Sequence, residues 1–544
     1  MNEQSSTAKN FMLLSIAGIV AKLFSALYVP FLQAIVGADG IGMYSRSYDV
    51  FMFAYAVTTM GCQPAVTKIV AELRANNNER DTVKVLDISK KIFGTIGAIG
   101  TIIILLGAYP YTKYYEIQSS FQSILFLAPS IFLTTILAAY RGFFQGKGNM
   151  KSIAISQVLE QLLNVVVSLI CALLFVRISV PMGSAGGTIG TSIGAIISIL
   201  YLVIIYRRNK YDKEYIEHMG DKSVKSSSIR RKLFRYSFPI VLSAAIQNFG
   251  GVIDMMNVNL RLLHAGFSPK MSDVLYGYLY YYKVLTGVPL IIITAICTII
   301  LTAISKAYAL RDKKTIITNV NFAFRLTLAI TIPASIGLAV LSKNVYQILF
   351  RGNGYTLMIY GSIILVFMGM AQIQGVILQG ISKFTPMIIA FTIGIVIKII
   401  ANYILVGIYS INIYGALIGN LLMYAIPTYL NNRTINKSLK YKTLKLNEVL
   451  KPVLGSIAMG IGLIILKTPM ECIRSYFDIS GAVGWMYTLI YTIVLVFIGV
   501  MIYVYVMMII GGIKKEDIES LPHGIYNRLP KYLKNEKNFK SIKR

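Results

Sequence analysis

The chain has 544 residues, of which 56% are hydrophobic and only 14% charged, yet its formal charge is +30. That much apolar surface does not fit inside water-soluble domains, so lipid is the expected solvent, and helices without a reading surface argue against a nucleic-acid partner. Cys62, Cys171, Cys297 and Cys472 are too scattered for a disulfide framework or a zinc spacing, and His218, His264 and His523 form no metal or nucleophile constellation.

The opening MNEQSSTAKN runs into an apolar stretch that lacks a convincing cleavage site and exceeds a signal h-region, so it is expected to remain as the first helix. Apolar runs of about 20 residues, enough to cross a hydrocarbon core of about 30 Å, recur fourteen times along the chain. The first covers 11–36 and contains Lys22 and Pro30; a short loop with Asp39 leads to the second, over 42–71. A charged loop, ELRANNNERDTVKVLDISKK, precedes spans over 92–111 and 120–140. The polar hairpin RGFFQGKGNM then turns the chain into a fifth span over 153–176. The sixth carries Gly186, Gly190 and Gly194, four apart on one helical face, which permits close helix packing.

After a basic linker the plan repeats, with spans over 233–260, 275–303, 317–341, 357–378, 387–408 and 414–430. The predicted architecture is an all-α polytopic membrane protein with 14 transmembrane helices, in two parallel-repeat six-helix lobes plus two C-terminal helices. Its segments are a first lobe over 1–207, a cytoplasmic linker over 208–232, a second lobe over 233–432, a loop over 433–451, helices 13 and 14 over 452–512, and a basic tail over 513–544. The duplication shows as an echo: Gln145-Gly146 recurs as Gln379-Gly380, each closing one apolar run and opening another. Ala65-Val66-Thr67-Lys68 recurs as Ala303-Ile304-Ser305-Lys306 at almost the same displacement, and is taken as part of the same repeat. Repeated membrane halves usually enclose a site near mid-bilayer.

With both termini inside, the inner loops and tails hold most of the 53 Lys and Arg, which predicts cytoplasmic termini and accounts for most of the +30 through contact with anionic lipid. The sequons at Asn432 and Asn436 then face the cytoplasm and stay unglycosylated.

Charges left inside the spans are the candidates for function, since each central one costs about 2.5–3.5 kcal/mol on the insertion scale. Lys22, Arg46, Asp49, Asp254 and Lys283 are the candidate substrate-binding residues, three cations and two anions whose balance suits an anionic head group. Arg46 and Asp49, three apart on one face, also read as a local ion pair. Glu160, Arg325 and Lys398 read as structural, Lys68 and Lys306 as snorkelling, and LYGYLYYYK over 275–283 as an aromatic belt.

GFFQGKGN lacks the spacing and the Ser or Thr of a Walker A loop, and no strand precedes it, so ATP hydrolysis is not expected. No cofactor or metal is expected, and the short outer loops carry no acidic cluster of the kind a membrane glycosyltransferase needs. A pure scaffold would leave five charges in spans without a use.

GADGIGMY over 37–44, GCQPAVTK over 61–68, RGFFQGKGNM with SQVLEQ, and the QGISK hairpin together resemble the multidrug/oligosaccharidyl-lipid/polysaccharide exporter superfamily, in the branch of stage V sporulation protein B and the MurJ-type lipid II flippases. The resemblance spans nearly the whole chain. It implies a non-enzymatic flippase of the bacterial cytoplasmic membrane that moves a lipid-linked sugar diphosphate by alternating access, with membrane lipids and cell-wall synthesis proteins as partners. It also implies that Lys22 is the first-helix basic residue that meets the diphosphate. The motif's second basic position is Tyr28 here, followed by Val29, which leaves Arg46 or Lys283 to compensate. A flippase for another lipid-linked polysaccharide and a multidrug cation antiporter are the alternatives, and the choice between general cell-wall and sporulation roles is left open.

Overall fold

The computed structural model describes residues 2–209, 211, 224–350, 354–443, 446–476 and 481–512, and among these there is no strand. The tail over 513–544, most of the linker, His218 and His523 lie outside the described residues. Helices follow from the solvent: in hydrocarbon every backbone N–H and C=O needs a partner in its own segment.

Helix α1, Asn2–Thr58, carries the first two expected spans on either side of Gly37, whose φ of 75° falls in the left-handed region that glycine tolerates. The second span then continues through a turn into α2, Cys62–Ala75. Next come α3 (Glu79–Tyr114), α4 (Phe121–Gly146), α5 (Met150–Phe175) and α6 (Val180–Arg208). Beyond the linker lie α7 (Ser226–His264), α8 (Pro269–Ala309), α9 (Lys313–Val340) and a short α10 (Ser342–Leu349). The tenth expected span is bent, as α11 (Tyr355–Gly361) and α12 (Ile364–Gly380) meet at 53°. The remainder are α13 (Phe384–Leu405), α14 (Tyr414–Leu439), α15 (Leu446–Tyr476) and α16 (Gly481–Ile509). Ten of these helices are each long and apolar enough to cross a bilayer, and α11 with α12 makes an eleventh. With two segments in α1 and one in α14, all fourteen expected spans fall on helices.

The duplication is written in the turns. Helices α2 and α8 end at Ala75 and Ala309, α4 and α12 at Gly146 and Gly380, while α5 and α13 begin at Met150 and Phe384, every pair separated by the same interval as Gln145 and Gln379. Asn77 and Arg311 both adopt positive φ, 55° and 57°, and Asn78 and Asp312 both cap the helix that follows. Even a contact repeats: a Cβ on Gly146 would meet Val70, and one on Gly380 would meet Ile304. The AVTK echo, whose displacement is larger, is therefore one helical turn out of register. Its residues share composition with their counterparts, not position.

By packing, the chain divides into two compact units, 1–280 with 395–419, and 281–394 with 420–544. In the first, Cys62, Val66 and Val70 of α2 are buried with Phe143 and Phe144 of α4. The expected glycine stripe also works as close packing: a Cβ on Gly186, Gly190 or Gly194 would fall 2.6, 2.2 or 2.6 Å from a backbone oxygen of α5. In the second unit, α16 buries Leu495 and Met507 against Leu463 of α15. Tyr503 donates to the Ala329 carbonyl at 2.9 Å, and Asn344 donates to the Tyr491 hydroxyl at 2.6 Å, which pins α16 to α9 and α10.

Candidate functional site

The charged residues of the first unit begin at the outer half of α1. Beyond Gly37 this helix touches the start of α8 so closely that a Cβ on Gly42 would lie 1.9 Å from the Asp273 carbonyl oxygen. The approach delivers Arg46, wholly buried, to the Asp273 carboxylate, with which it forms an ion pair. Arg46 Nη2 donates to Asn259 Oδ1 at 2.9 Å, and Ser272 Oγ donates to the same oxygen at 2.7 Å. The guanidinium carbon also sits 4.9 Å from the centre of the Tyr276 ring. A buried guanidinium needs such a partner set, because an unpaired buried charge is far more costly than a paired one. Arg46 is thereby committed to Asp273, a partner on another helix, instead of serving a pair local to its own helical face.

Asp49, one turn further along α1, accepts a hydrogen bond from the Tyr276 hydroxyl at 2.7 Å. Its carboxylate lies against the backbone of α7, where a Cβ on Gly251 would come within 2.6 Å of Oδ1. Asp254 follows on α7 and meets Lys398 of α13 at 2.9 Å, with each side chain 1% exposed. Asn402 donates to Asp254 Oδ1 at 3.0 Å, and Lys398 also donates to the Gly250 carbonyl at 2.7 Å. Lys398, read from sequence as structural, is thus the partner of a candidate binding residue.

Within the first unit the structure therefore brings together Arg46, Asp49 and Asp254, and adds Asp273 and Lys398, which sequence reasoning did not place beside them. The expected cationic balance does not hold there: two cations face three carboxylates, Asp49, Asp254 and Asp273. A cationic excess has to come from Lys22 and Lys283. The Lys22 side chain lies outside the described residues, although its backbone belongs to α1. Lys283 is half-buried on the part of α8 that belongs to the second unit.

One other expectation changes. The run over 275–283 is not an aromatic belt: Tyr276 and Tyr281 are wholly buried, and Tyr281 stacks on Phe350 with ring centres 4.1 Å apart. Burial of this kind gives the rings protein partners in place of the lipid interface. Tyr28, standing at the motif's second basic position, is buried and donates its hydroxyl to the Gly187 carbonyl of α6.

The signature segments hold one another. Gln63 of GCQPAVTK donates to Gln145 of RGFFQG at 2.8 Å, and Thr67 Oγ1 donates to the Gly142 carbonyl at 3.2 Å. Arg141 of the same segment pairs with Glu160 of SQVLEQ at 2.7 Å and donates to Ser156 at 3.0 Å. Glu160 thus has its partner on the neighbouring helix α4. No group of three potential metal ligands occurs among the described residues.

The family model for polysaccharide biosynthesis proteins matches residues 7–307. Two Bacillus subtilis (strain 168) proteins are similar along nearly their whole lengths. The uncharacterized membrane protein YabM is 26% identical over 525 residues, 96% of this chain and 95% of its own. The lipid II flippase MurJ is 23% identical over 540 residues, 95% of this chain and 98% of its own. Among solved structures, a lipid II flippase MurJ in an inward closed conformation has a TM-score of 0.62 at 17% identity, covering 92% of this chain and 98% of that one, and is alike in fold.

Proposed function

This chain belongs to the polysaccharide biosynthesis protein family, in the branch of the exporter superfamily that contains the MurJ-type flippases, and from that premise we propose that it is a flippase for an undecaprenyl-diphosphate-linked cell-wall precursor resembling lipid II. The chain is a multi-pass membrane protein whose relatives are transporters. What supports the finer reading is the likeness to the lipid II flippase MurJ along nearly the whole of both chains, in a chain that keeps ionisable groups among its spans.

In this reading both termini face the cytoplasm of a bacterial cell, and the lobes over 1–207 and 233–432 rock about a site near mid-bilayer. Lys22 and Lys283 contact the diphosphate, because charge-assisted bonds to phosphate oxygens are about twice as strong as neutral ones. The paired groups Arg46–Asp273 and Lys398–Asp254 hold the first unit's helices to one another. Ion coupling, alongside charge, is assigned to Asp49. Direction comes from charge: carrying about two negative charges outward against an inside-negative 100 mV releases roughly 4 to 5 kcal/mol. No nucleotide is needed.

Binding by the purified protein tests the chemistry. An undecaprenyl-diphosphate sugar should bind about tenfold or more tightly than the same lipid with its diphosphate replaced by an uncharged link, a difference of roughly 1.4 kcal/mol or more. Lys22→Ala and Lys283→Ala should each remove much of that preference. Equal binding of the charged and uncharged lipids contradicts the reading.

A further inference from the structure

The strongest feature that the transport reading leaves unused is a cavity of about 950 Å³ in the second unit, at the ends of α8, α9, α12, α13 and α14. Four cations from three separate segments of the chain line it: Arg311, Lys313, Lys383 and Lys437. Among the described residues none of the four is in an ion pair. The one acid in these turns, Asp312, is occupied by the helix it caps. It accepts from the Thr315 hydroxyl at 2.6 Å and from the Thr315 amide at 3.0 Å, and these bonds hold its carboxyl below the usual range.

The internal duplication supplies a control within the same chain. At the corresponding place in the first unit, one repeat earlier, the turns have the same backbone: Asn78 N donates to Leu73 O at 2.9 Å, as Asp312 N does to Ala307 O at 2.9 Å. Likewise Asn149 N donates to Phe144 O at 2.9 Å, and Lys383 N to Leu378 O at 2.7 Å. The side chains differ. Where the second unit has Lys313, the first has Glu79, which pairs with Arg74 at 3.3 Å and with Lys147. Lys147 is only 5% exposed, and the Tyr211 ring covers its ammonium at 5.1 Å. One repeat therefore carries its own anion beside a nearly buried lysine. In the other, a lysine stands where that anion was, on the wall of a cavity.

We infer that this cavity is a binding site for a multivalent phosphate-bearing anion. Orienting the chain in the membrane explains basic residues at helix ends, but it does not require four of them to converge on one concavity. The volume is that of a small-molecule site, on the order of 300–1,000 Å³. Ile316, Ile381 and Leu439 give it apolar walls, and three lysines with one arginine supply mobile and forked donors together. The shared chemistry is a phosphate group carrying more than one negative charge or lying beside another, whether on a soluble metabolite or on a lipid head group. The inference goes beyond the flippase reading and is tested without transport, so either can fail alone.

The experiment is pyrophosphate binding to the full-length protein in nanodiscs of neutral phosphatidylcholine, read by calorimetry and by the shift in unfolding temperature. Wild type should bind saturably, one per chain, and more weakly at high salt. Lys313→Gln with Lys383→Gln should weaken binding about tenfold or more. Lys313→Glu, which restores the carboxylate that Glu79 provides in the other repeat, should abolish binding while leaving the unliganded unfolding temperature unchanged or higher. Lys437→Gln, on a different helix, should weaken binding on its own if the double variant fails to fold. Lys151→Gln, an exposed site away from the cavity, makes the same charge change as one of these substitutions and should leave binding intact. Repeating the wild-type titration in nanodiscs with cardiolipin, whose head group joins two phosphates, and with phosphatidylglycerol at the same surface charge separates the sources: pyrophosphate binding weakened more by cardiolipin assigns the site to a lipid head group, and equal binding in the two to a soluble phosphate. Absence of saturable binding to wild type in neutral nanodiscs, or an equal loss in Lys151→Gln, overturns the inference.

Discussion

Lys398 Nζ lies 2.9 Å from Asp254 Oδ1 on a different helix, and each side chain is 1% exposed. Breaking such a pair from one side leaves a bare buried charge, which typically costs about 3–5 kcal/mol. Lys398→Met should therefore lower the unfolding temperature in detergent sharply and reduce membrane abundance. Adding Asp254→Leu to the same chain should recover most of the loss. A double variant as unstable as the single would show that the pair does more than neutralise itself.

Arg46 offers a comparison of shape at constant charge. Its fork reaches Asp273 and Asn259 together, and a lysine ammonium does not reproduce that geometry. Arg46→Lys should destabilise by about 1.5–3 kcal/mol, the scale of a hydrogen bond to a charged group, and Arg46→Ala by more. Thermal unfolding of the two variants side by side checks the order.

Close packing of α1 on α8 gives a steric prediction with its own control. A Cβ on Gly42 would stand 1.9 Å from the Asp273 carbonyl oxygen, whereas one on Gly107 would meet nothing within 4 Å. Gly42→Ala should cost about 1–3 kcal/mol through overpacking, and Gly107→Ala should stay within about 0.5 kcal/mol of wild type. Expression level and unfolding temperature report both.

If charge drives outward movement, collapsing the membrane potential should slow precursor exposure in sealed vesicles, by an amount that scales with the imposed voltage at about 2.3 kcal/mol per charge per 100 mV. A rate indifferent to voltage would point to coupling through an ion instead, with Asp49 as the residue to replace next.

Much of the fold was legible because lipid makes hydropathy decisive: each apolar run had to be a helix, and all fourteen fall on one. Gly186, Gly190 and Gly194 also told their own story, since a stripe of small residues has one structural use. What the sequence concealed was pairing at a distance. Asp273 follows Arg46 by 227 residues and sits at the start of a helix, where an acid reads as an ordinary loop charge. Lys398 looked like a residue able to reach an interface, and its partner on α7 is also remote in sequence. Composition also misled: the tyrosines over 275–283 have the content of an aromatic belt, but several of them face inward. The AVTK echo matched in residue type and missed by a helical turn, because amphipathic helices reuse residue types at every turn.

The most direct test of the account is flipping by the purified protein in sealed proteoliposomes with an imposed inside-negative potential. An undecaprenyl-diphosphate-linked disaccharide peptide is placed in the inner leaflet, and its exposure is read with an impermeant sugar-modifying probe. The account predicts time-dependent exposure by wild type, and loss of it in Lys22→Ala at equal protein content. No exposure by wild type in vesicles where a known flippase succeeds would contradict the assignment of this precursor.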